Sequence, residues 1–176
     1  MLTSVLASHP HDPSLLRMMA DLQFANSHHA AALALYVETA AVLTDYYHQE
    51  LGPGPGLIDE VQVSRMVTCA REMGHLTQAV ILSQFTPEPN YAQAFKFLED
   101  KTSDGSDSLY GCIWDMAILE FAMSLHTRRG EAAKRKEALQ CIWQLELNTN
   151  NDEEILKEAA NVRKSLFFRS LAMQLF

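Results

Sequence analysis

Apolar residues along most of the chain recur at intervals of three and four, which places them on one face of an α-helix. No stretch alternates apolar and polar residues between hairpin turns, as a half-buried β-strand would. The pattern therefore predicts an all-α protein. The predicted helices cover, in chain order, about residues 13–26, 29–47, 58–73, 75–85, 90–100, 108–126, 131–145 and 151–176.

Several predicted helices begin at residues whose side chains cap the free amides of a first turn. Asp12 supplies such an acceptor, and the proline that follows it is tolerated at the first helical position because proline has no N–H to satisfy. Asn90 and Asn151 each precede a Gln or Glu by three residues, which is the spacing of a capping box. These signals fix the starts of the first, fifth and last helices.

The clearest break in the chain is the sequence Gly-Pro-Gly-Pro-Gly at residues 52–56. Glycine raises the entropic cost of a helix, and proline removes a backbone donor and clashes with the preceding turn. We therefore divide the chain into a helical hairpin at residues 1–51, a Gly/Pro linker at 52–57 and a helical repeat region at 58–176.

Two predicted helices carry more apolar residues than one buried stripe requires. Residues 108–126 are apolar all round, so we expect this helix to be buried on most sides at the centre of the core. In the last helix we assign the inner stripe to Ile155, Ala159, Val162, Leu166 and Met173, flanked by Leu156, Phe167, Leu171 and Leu175. The excess predicts an exposed surface for a partner, with the candidate residues Phe167, Phe168, Leu171, Leu175 and Phe176.

Composition and charge narrow the class of protein. The chain has 176 residues, of which 48% are hydrophobic, and this content argues against intrinsic disorder. It carries 14 Lys and Arg against 22 Asp and Glu, and the net charge of −8 argues against a protein whose whole surface clamps a nucleic acid. The charge is uneven, because residues 1–125 hold 5 basic and 15 acidic side chains whereas residues 126–176 hold 9 and 7.

A basic segment at residues 128–136 stands out in the second part of the chain. Such a cluster could contact RNA phosphates or an acidic protein surface. No aromatic residues interleave its charges for base stacking, which favours a solvated loop and helix start. Nucleic-acid binding is therefore the alternative function, and its candidate residues are Arg128, Arg129, Lys134, Arg135 and Lys136.

The three cysteines indicate a reducing compartment rather than a disulfide framework. They are odd in number, lie far apart and form no CxxC pair. Residues 1–25 lack the features of a signal peptide, and no apolar run approaches the roughly 18 residues of a membrane span. We therefore expect a soluble, intracellular protein without membrane contact, and core packing for Cys69, Cys112 and Cys141.

The sequence offers no recognisable catalytic, metal or cofactor site. Neither His-x-His at residues 9–11 nor His-His at residues 28–29 has ligand spacing on a helix or a nearby cysteine. Asp115 and Glu120 are five residues apart and project to different faces, and a buried Asp115 needs an arginine or a helix N-terminus as its partner. GxSxG and HExxH motifs are absent. We therefore do not expect an enzyme. Of three function classes, an interaction scaffold is the first hypothesis, a nucleic-acid-binding module is the second, and an enzyme with an unrecognised site is the weakest.

Residues 16–40 resemble one repeat of the tetratricopeptide family, whose two helices approach closely through small residues at fixed places. Met19-Ala20 stands where the repeat has Leu-Gly, Ala32 at the small mid-repeat position and Tyr36 at the aromatic position of the second helix. The resemblance implies an irregular α-α superhelix of tetratricopeptide-like helical hairpins ending in a long C-terminal helix.

Several blocks further along resemble the C-terminal region of Integrator complex subunit 8. They read VILSQF, YAQAFKFL, IWDMAILEF, HTRRGE, ELNTN, AANVRK and LAMQLF, and they keep their order over residues 60–176. The resemblance implies a non-catalytic scaffold subunit of a nuclear complex that supports small nuclear RNA 3′-end processing and attenuates transcription by RNA polymerase II. In the family, this subunit helps recruit protein phosphatase 2A.

The resemblance also implies which partners to expect. They are the other Integrator subunits, in the nucleus. The family's phosphatase-contacting segment lies near the start of the full-length protein, and no residues here match it. Phosphatase binding is therefore expected of the full-length protein and is in doubt for this chain, which looks like a C-terminal fragment or a shortened form.

Overall fold

The computed structural model describes residues 9, 11–49, 51, 58–104, 109–146 and 153–176, and these residues form helices, turns and loops without a β-strand. The expectation of an all-α fold is therefore confirmed. The helices are α1 (Pro13–Ala25), α2 (His29–Leu43), α3 (Glu60–Glu72), α4 (Leu76–Ser83), α5 (Tyr91–Glu99), a 3₁₀ turn (Tyr110–Cys112), α6 (Met116–Arg129), α7 (Ala132–Glu146) and α8 (Glu153–Leu175).

Local capping signals explain where several helices begin. The Asp12 carboxylate accepts hydrogen bonds from the amides of Ser14 and Leu15, at 2.8 and 3.1 Å. The Asn90 side chain accepts from the Gln93 amide at 3.1 Å, which is the N-cap bond of a capping box. Both predicted starts are confirmed. The predicted cap at Asn151 and the Gly/Pro linker at 52–57 lie outside the described residues.

The first hairpin packs as the repeat resemblance implies. Ala20 of α1 and Ala32 of α2 are fully buried, so the two helix backbones approach closely. Tyr36 is also fully buried, and its hydroxyl donates a 2.6 Å hydrogen bond to Asp21 of α1. Arg65 of α3 forms an ion pair with the same carboxylate. One acidic side chain therefore joins three successive helices.

Each helix packs mainly against the next one in the chain, and α8 is the exception. The pairs α1–α2, α2–α3, α3–α4, α4–α5, α5–α6 and α6–α7 are in contact, as in a stack of helical hairpins. The last helix instead returns across the 3₁₀ turn and packs against α2. One continuous core results, and it contains residues from both sides of the predicted linker.

The second helix ends four residues earlier than the pattern predicts. Asp45, Tyr46 and Tyr47 have left-handed φ values of 48°, 55° and 65°. The turn is held because the Tyr47 amide donates to the Thr44 hydroxyl at 3.0 Å and its own hydroxyl donates to the Val37 carbonyl at 3.2 Å. Apolar periodicity continues through this segment, but these tertiary and turn contacts determine the backbone.

The predicted helix at 108–126 is also wrong as a single element. From residue 109, where the described part begins, the segment contains the 3₁₀ turn, a short extended stretch and α6. The side-chain oxygen of Gln84, from α4's C-terminus, accepts from the amides of both Trp114 and Asp115 at 2.9 Å, which holds the break open. Asp115 then caps α6 by accepting from the Ile118 amide at 3.2 Å. The partner of Asp115 is therefore the N-terminus of α6, one of the two partners that we expected for it. Glu120 is exposed on another face of the helix.

Candidate interaction surfaces

The last helix, α8, carries apolar side chains on two opposite faces. Its inner face presents Phe167, Phe168 and Leu171, which are almost fully buried. The Phe168 ring centroid lies 6.0 Å from that of Tyr47 and 5.4 Å from that of Phe85. The outer face is solvent-exposed, and we define its outer stripe as Ile155, Val162, Leu166 and Met173, whose exposed fractions range from 42 to 79%.

The assignment of the inner stripe of the last helix was therefore wrong. Four of its five residues form the outer stripe, and the fifth, Ala159, is half-buried. Two of the flanking residues, Phe167 and Leu171, belong to the core instead. Both faces have helical periodicity, so spacing alone could not choose between them. The aromatic pair at 167–168 offers more apolar area and fits against the rings of Phe85, just after α4, and Tyr47, in the 44–49 turn.

The partner-binding candidates of the last helix separate into two groups. Phe167, Phe168 and Leu171 are in the core, so their placement on a surface is corrected. Leu175 is half-buried and packs against the core, whereas Phe176 is 74% exposed. Phe176, Leu156 and the outer stripe are therefore the accessible apolar residues at this end of the chain.

A groove of about 380 Å³ runs between α8 and the left-handed turn after α2. Val162 and Leu166 of the outer stripe line it, with Glu158 and Arg169 on the same helix. The Arg169 guanidinium donates to the Tyr47 carbonyl at 3.2 Å, which ties the turn to the helix. Left-handed non-glycine residues cost free energy, and they persist where surrounding contacts hold them.

A second groove, of about 460 Å³, lies beside α1 and α3, the first helices of successive hairpins. Phe24, Val61 and Arg65 are among its lining residues, and the Arg65 guanidinium lies 5.6 Å from the Phe24 ring centroid. Ion pairs from Arg17 to Asp59 and from Arg65 to Asp21 hold the two helices beside each other. Sequence reasoning missed this groove because its residues are about 40 positions apart and are not on one helix.

The basic segment at 128–136 spans the turn between α6 and α7, and four of its five candidates are exposed. Lys134 is half-buried; the exposed residues are Arg128, Arg129, Arg135 and Lys136. The Arg128 guanidinium lies 6.0 Å from the Phe121 ring centroid. The Phe121 ring stacks on that of Phe95 in α5, with 4.1 Å between the ring centroids and 6° between the ring planes. Aromatic rings thus adjoin the segment through folding, although none interleaves it in sequence.

A buried histidine fixes the turn that presents the basic segment. His126 is hydrogen-bonded through Nε2 to the Tyr110 hydroxyl at 2.5 Å and through Nδ1 to Glu131 at 2.6 Å. The hydrogen bond from His126 lowers the pKa of the Glu131 carboxyl. Gly130, between them, ends α6 with a φ of 71°, a conformation that glycine adopts without strain. These contacts hold the turn in one conformation.

The residues with reactive or metal-binding potential have structural roles where the chain is described. Burial raises the pKa of the Cys69 and Cys112 thiols to about 11, so both are protonated and unreactive at neutral pH. His28 bonds the Gln23 side chain at 2.8 Å, and His29 packs edge-on against Phe24. The described residues hold no cluster of three His, Cys, Asp or Glu side chains suited to a metal. None of their helices is long and apolar enough to span a membrane.

The fold and these surfaces define an all-α helical-repeat protein with exposed apolar and basic patches. Comparison with known proteins then gives the family. A family model described as INTS8, TPR repeats, matches residues 1–175, and the chain belongs to this family. The expected resemblance is confirmed.

Curated relatives are named Integrator complex subunit 8. Those of Mus musculus and Homo sapiens are each 40% identical to this chain over 172 residues, which is 97% of the chain and 17% of the relative. The Xenopus laevis relative is 41% identical over 164 residues, which is 93% of the chain and 16% of the relative. The chain thus spans about a sixth of the length of these relatives.

Proposed function

We propose that this chain is a non-catalytic scaffold of the nuclear Integrator complex and that it binds other subunits of that complex. The match to the subunit 8 repeat family over nearly the whole chain carries this proposal. The groove beside α1 and α3 supports it, because helical-repeat proteins bind partners on surfaces built from corresponding helices of successive repeats. Val61, at its edge, is 55% exposed and offers an apolar contact.

The activity of the complex is part of the same proposal. As a scaffold, the chain would support small nuclear RNA 3′-end processing and attenuation of RNA polymerase II transcription. The full-length protein would contribute to the recruitment of protein phosphatase 2A. No residues of this chain match the phosphatase-contacting segment, so for this chain the proposed partners are the Integrator subunits.

A pairwise binding experiment tests the scaffold role. The purified chain is immobilised and exposed to each of the other Integrator subunits, one at a time, with protein phosphatase 2A as a further analyte. We expect saturable binding of at least one subunit and at least tenfold weaker binding by Val61→Glu. Trp143→Glu is a matched control, since Trp143 is 58% exposed on α7, away from the groove. Absence of binding to every subunit would contradict the proposal.

Nucleic-acid binding is the second candidate function. The specific observation in its favour is the exposed basic segment beside the Arg128–Phe121–Phe95 stack, since stacked rings and guanidinium groups are typical of single-strand binding sites. Against it, Arg129 already donates to the Glu99 carbonyl at 2.6 Å, and the chain as a whole is acidic. Filter binding of a single-stranded RNA at low salt tests it. Charge reversal of all five basic candidates should abolish binding if this function is correct.

A further inference from the structure

The outer stripe of α8 is an apolar helix face that no other described part of the chain covers; residues 47–49 flank it at Val162 and Leu166, across the groove described above. It lies opposite the core face of the same helix, and Met173 is its most exposed member. An apolar stripe of this length on a helix that is already anchored by its other face is typical of an interaction site. The spacing and charge of this face indicate what covers it.

The stripe has the spacing of a coiled-coil seam and is nearly symmetric under reversal. Together with Ala159 and Arg169, which lie on the same face, its residues follow one another at intervals of four, three, four, three and four, the repeat that places side chains at a helix–helix contact. The same series results when the helix is read from its other end. An antiparallel copy centred on residue 164 therefore places Ile155 opposite Met173, Ala159 opposite Arg169, and Val162 opposite Leu166.

Charge selects the antiparallel arrangement. Among the exposed side chains near the start of α8, Glu154 and Glu158 outnumber Lys157, and exposed Arg169 lies near its end. An antiparallel copy brings the acidic end of one helix beside the basic end of the other, whereas a parallel copy would place like charges together. Small Ala159 opposite Arg169 leaves room for the arginine stem, while the Arg169 guanidinium keeps its hydrogen bond to the Tyr47 carbonyl of its own chain.

The centre of such a pair has no unfavourable charge on the seam. The Lys164 ammonium lies 5.8 Å from the Phe85 ring centroid and 5.5 Å from that of Trp114, so it points toward the core side of α8. The Arg163 guanidinium donates to the Ala159 carbonyl at 3.4 Å and is half-buried. Val162 and Leu166 are therefore the side chains nearest the symmetry axis.

We propose that α8 pairs with α8 of a second copy of this chain, antiparallel and around a two-fold axis at residue 164. The pairing goes beyond the scaffold role, because it adds a self-contact to the binding of other subunits. The stripe from Ile155 to Met173 is about 27 Å long at 1.5 Å per residue. One helix pair is smaller than a standard interface of about 800 Å² per partner, so the dimer is reversible.

Sedimentation velocity of the whole chain over roughly 1–200 μM tests the dimer, since weak interfaces assemble in this range. The chain dimerises with rising concentration, and Val162→Glu with Leu166→Glu weakens dimerisation at least tenfold. The matched control is Met18→Glu with Leu22→Glu, an exposed pair at the same spacing on α1, which leaves dimerisation unchanged. Circular dichroism confirms that each variant is folded. A chain that stays monomeric, or a dimer that tolerates the α8 change, overturns the proposal.

Cysteine cross-linking tests the orientation. Chains with Val162→Cys are mixed with chains with Leu166→Cys and oxidised gently; the three native cysteines are buried and do not compete. Antiparallel pairing gives a disulfide between the two different variants and little product from either variant alone. Efficient cross-linking of Val162→Cys chains to one another would indicate a parallel pair and overturn the arrangement.

Discussion

Replacing one residue on each face of α8 tests which face is in the core. Phe168 is 1% exposed and lies among the rings of Tyr47, Phe85 and Phe167, whereas Val162 is 64% exposed. The two residues are less than two helical turns apart, so Phe168→Ala and Val162→Ala change the same helix. The two side chains differ in size and in environment.

The burial of the two side chains implies very different losses of unfolding free energy for the two substitutions. Truncation of a fully buried phenylalanine removes its transfer free energy and leaves a cavity, which costs about 3–5 kcal/mol. In Val162→Ala, two methyl groups that are mostly in water are lost, worth roughly 0.5 kcal/mol after the exposed fraction is discounted. The better helix propensity of alanine offsets about the same amount. We therefore expect no measurable effect from Val162→Ala.

Thermal unfolding followed by circular dichroism, at a concentration below that of the proposed dimer, measures the difference. For a chain of this size 1 kcal/mol corresponds to roughly 2–4 °C, so Phe168→Ala should lower Tm by about 6–20 °C. Val162→Ala should shift it by less than about 2 °C. Equal losses for the two variants would refute the assignment of the faces. A larger loss for Val162→Ala would restore the inner stripe that the hydrophobic pattern predicts.

Three further predictions concern contacts between helices. Burial acts to raise the pKa of Asp21, but hydrogen bonds from Tyr36 and Arg65 hold this pKa below its ordinary value. Its contribution to stability is therefore present above the unfolded pKa, near 3.9, and is lost as pH falls through the folded pKa. Asp21→Asn should lower the free energy of unfolding by about 1 kcal/mol at pH 7, a modest loss because the carboxylate is more than a third exposed. In urea titrations this loss should shrink below about pH 4. A loss that does not change with pH would contradict the role of the ionised carboxylate. Asp115→Ala removes the cap of α6 and the carboxylate that accepts from the Tyr91 hydroxyl at 2.8 Å. The free energy of unfolding should fall by about 1–2 kcal/mol. An unchanged urea midpoint would show that neither contact stabilises the fold. Cys69, Cys112 and Cys141 should not react with a thiol reagent at pH 8 until the protein unfolds, because burial keeps their thiols protonated and inaccessible. Rapid labelling of the native protein would refute this prediction.

The parts of the fold that depend on neighbouring residues were predictable. Asp12 and Asn90 cap helices through contacts within three residues, and Gly74 ends a turn in the left-handed conformation that glycine favours. The break before α6 was not predictable, because the Gln84 side chain that holds it lies 30 residues away. The outward face of α8 was hidden for another reason, since both faces have the same apolar spacing.

The candidate surfaces likewise divide into those formed by neighbouring residues and those formed by residues far apart in the sequence. The basic segment is contiguous in sequence and was found there. The ring stack beside it, Phe95 and Phe121, joins α5 to α6 and needs the fold to form. The groove beside α1 and α3 likewise needs ion pairs between residues about 40 positions apart, such as Arg17 and Asp59. Sequence spacing shows what one helix presents, but it does not show which helices lie side by side.

The return of α8 to α2 affects how the chain acquires its structure during synthesis. Arg169 contacts Tyr47 across 122 positions, and Gln174 contacts Gln78 across 96. Contacts of such sequence separation form slowly, and a ribosome releases the chain from its N-terminus. The earlier helices therefore emerge before Phe168 can cover the Tyr47 and Phe85 rings, and the sides of these rings that face α8 stay exposed until α8 has been made. Until then, a chaperone that binds aromatic surface would protect the nascent chain from aggregation.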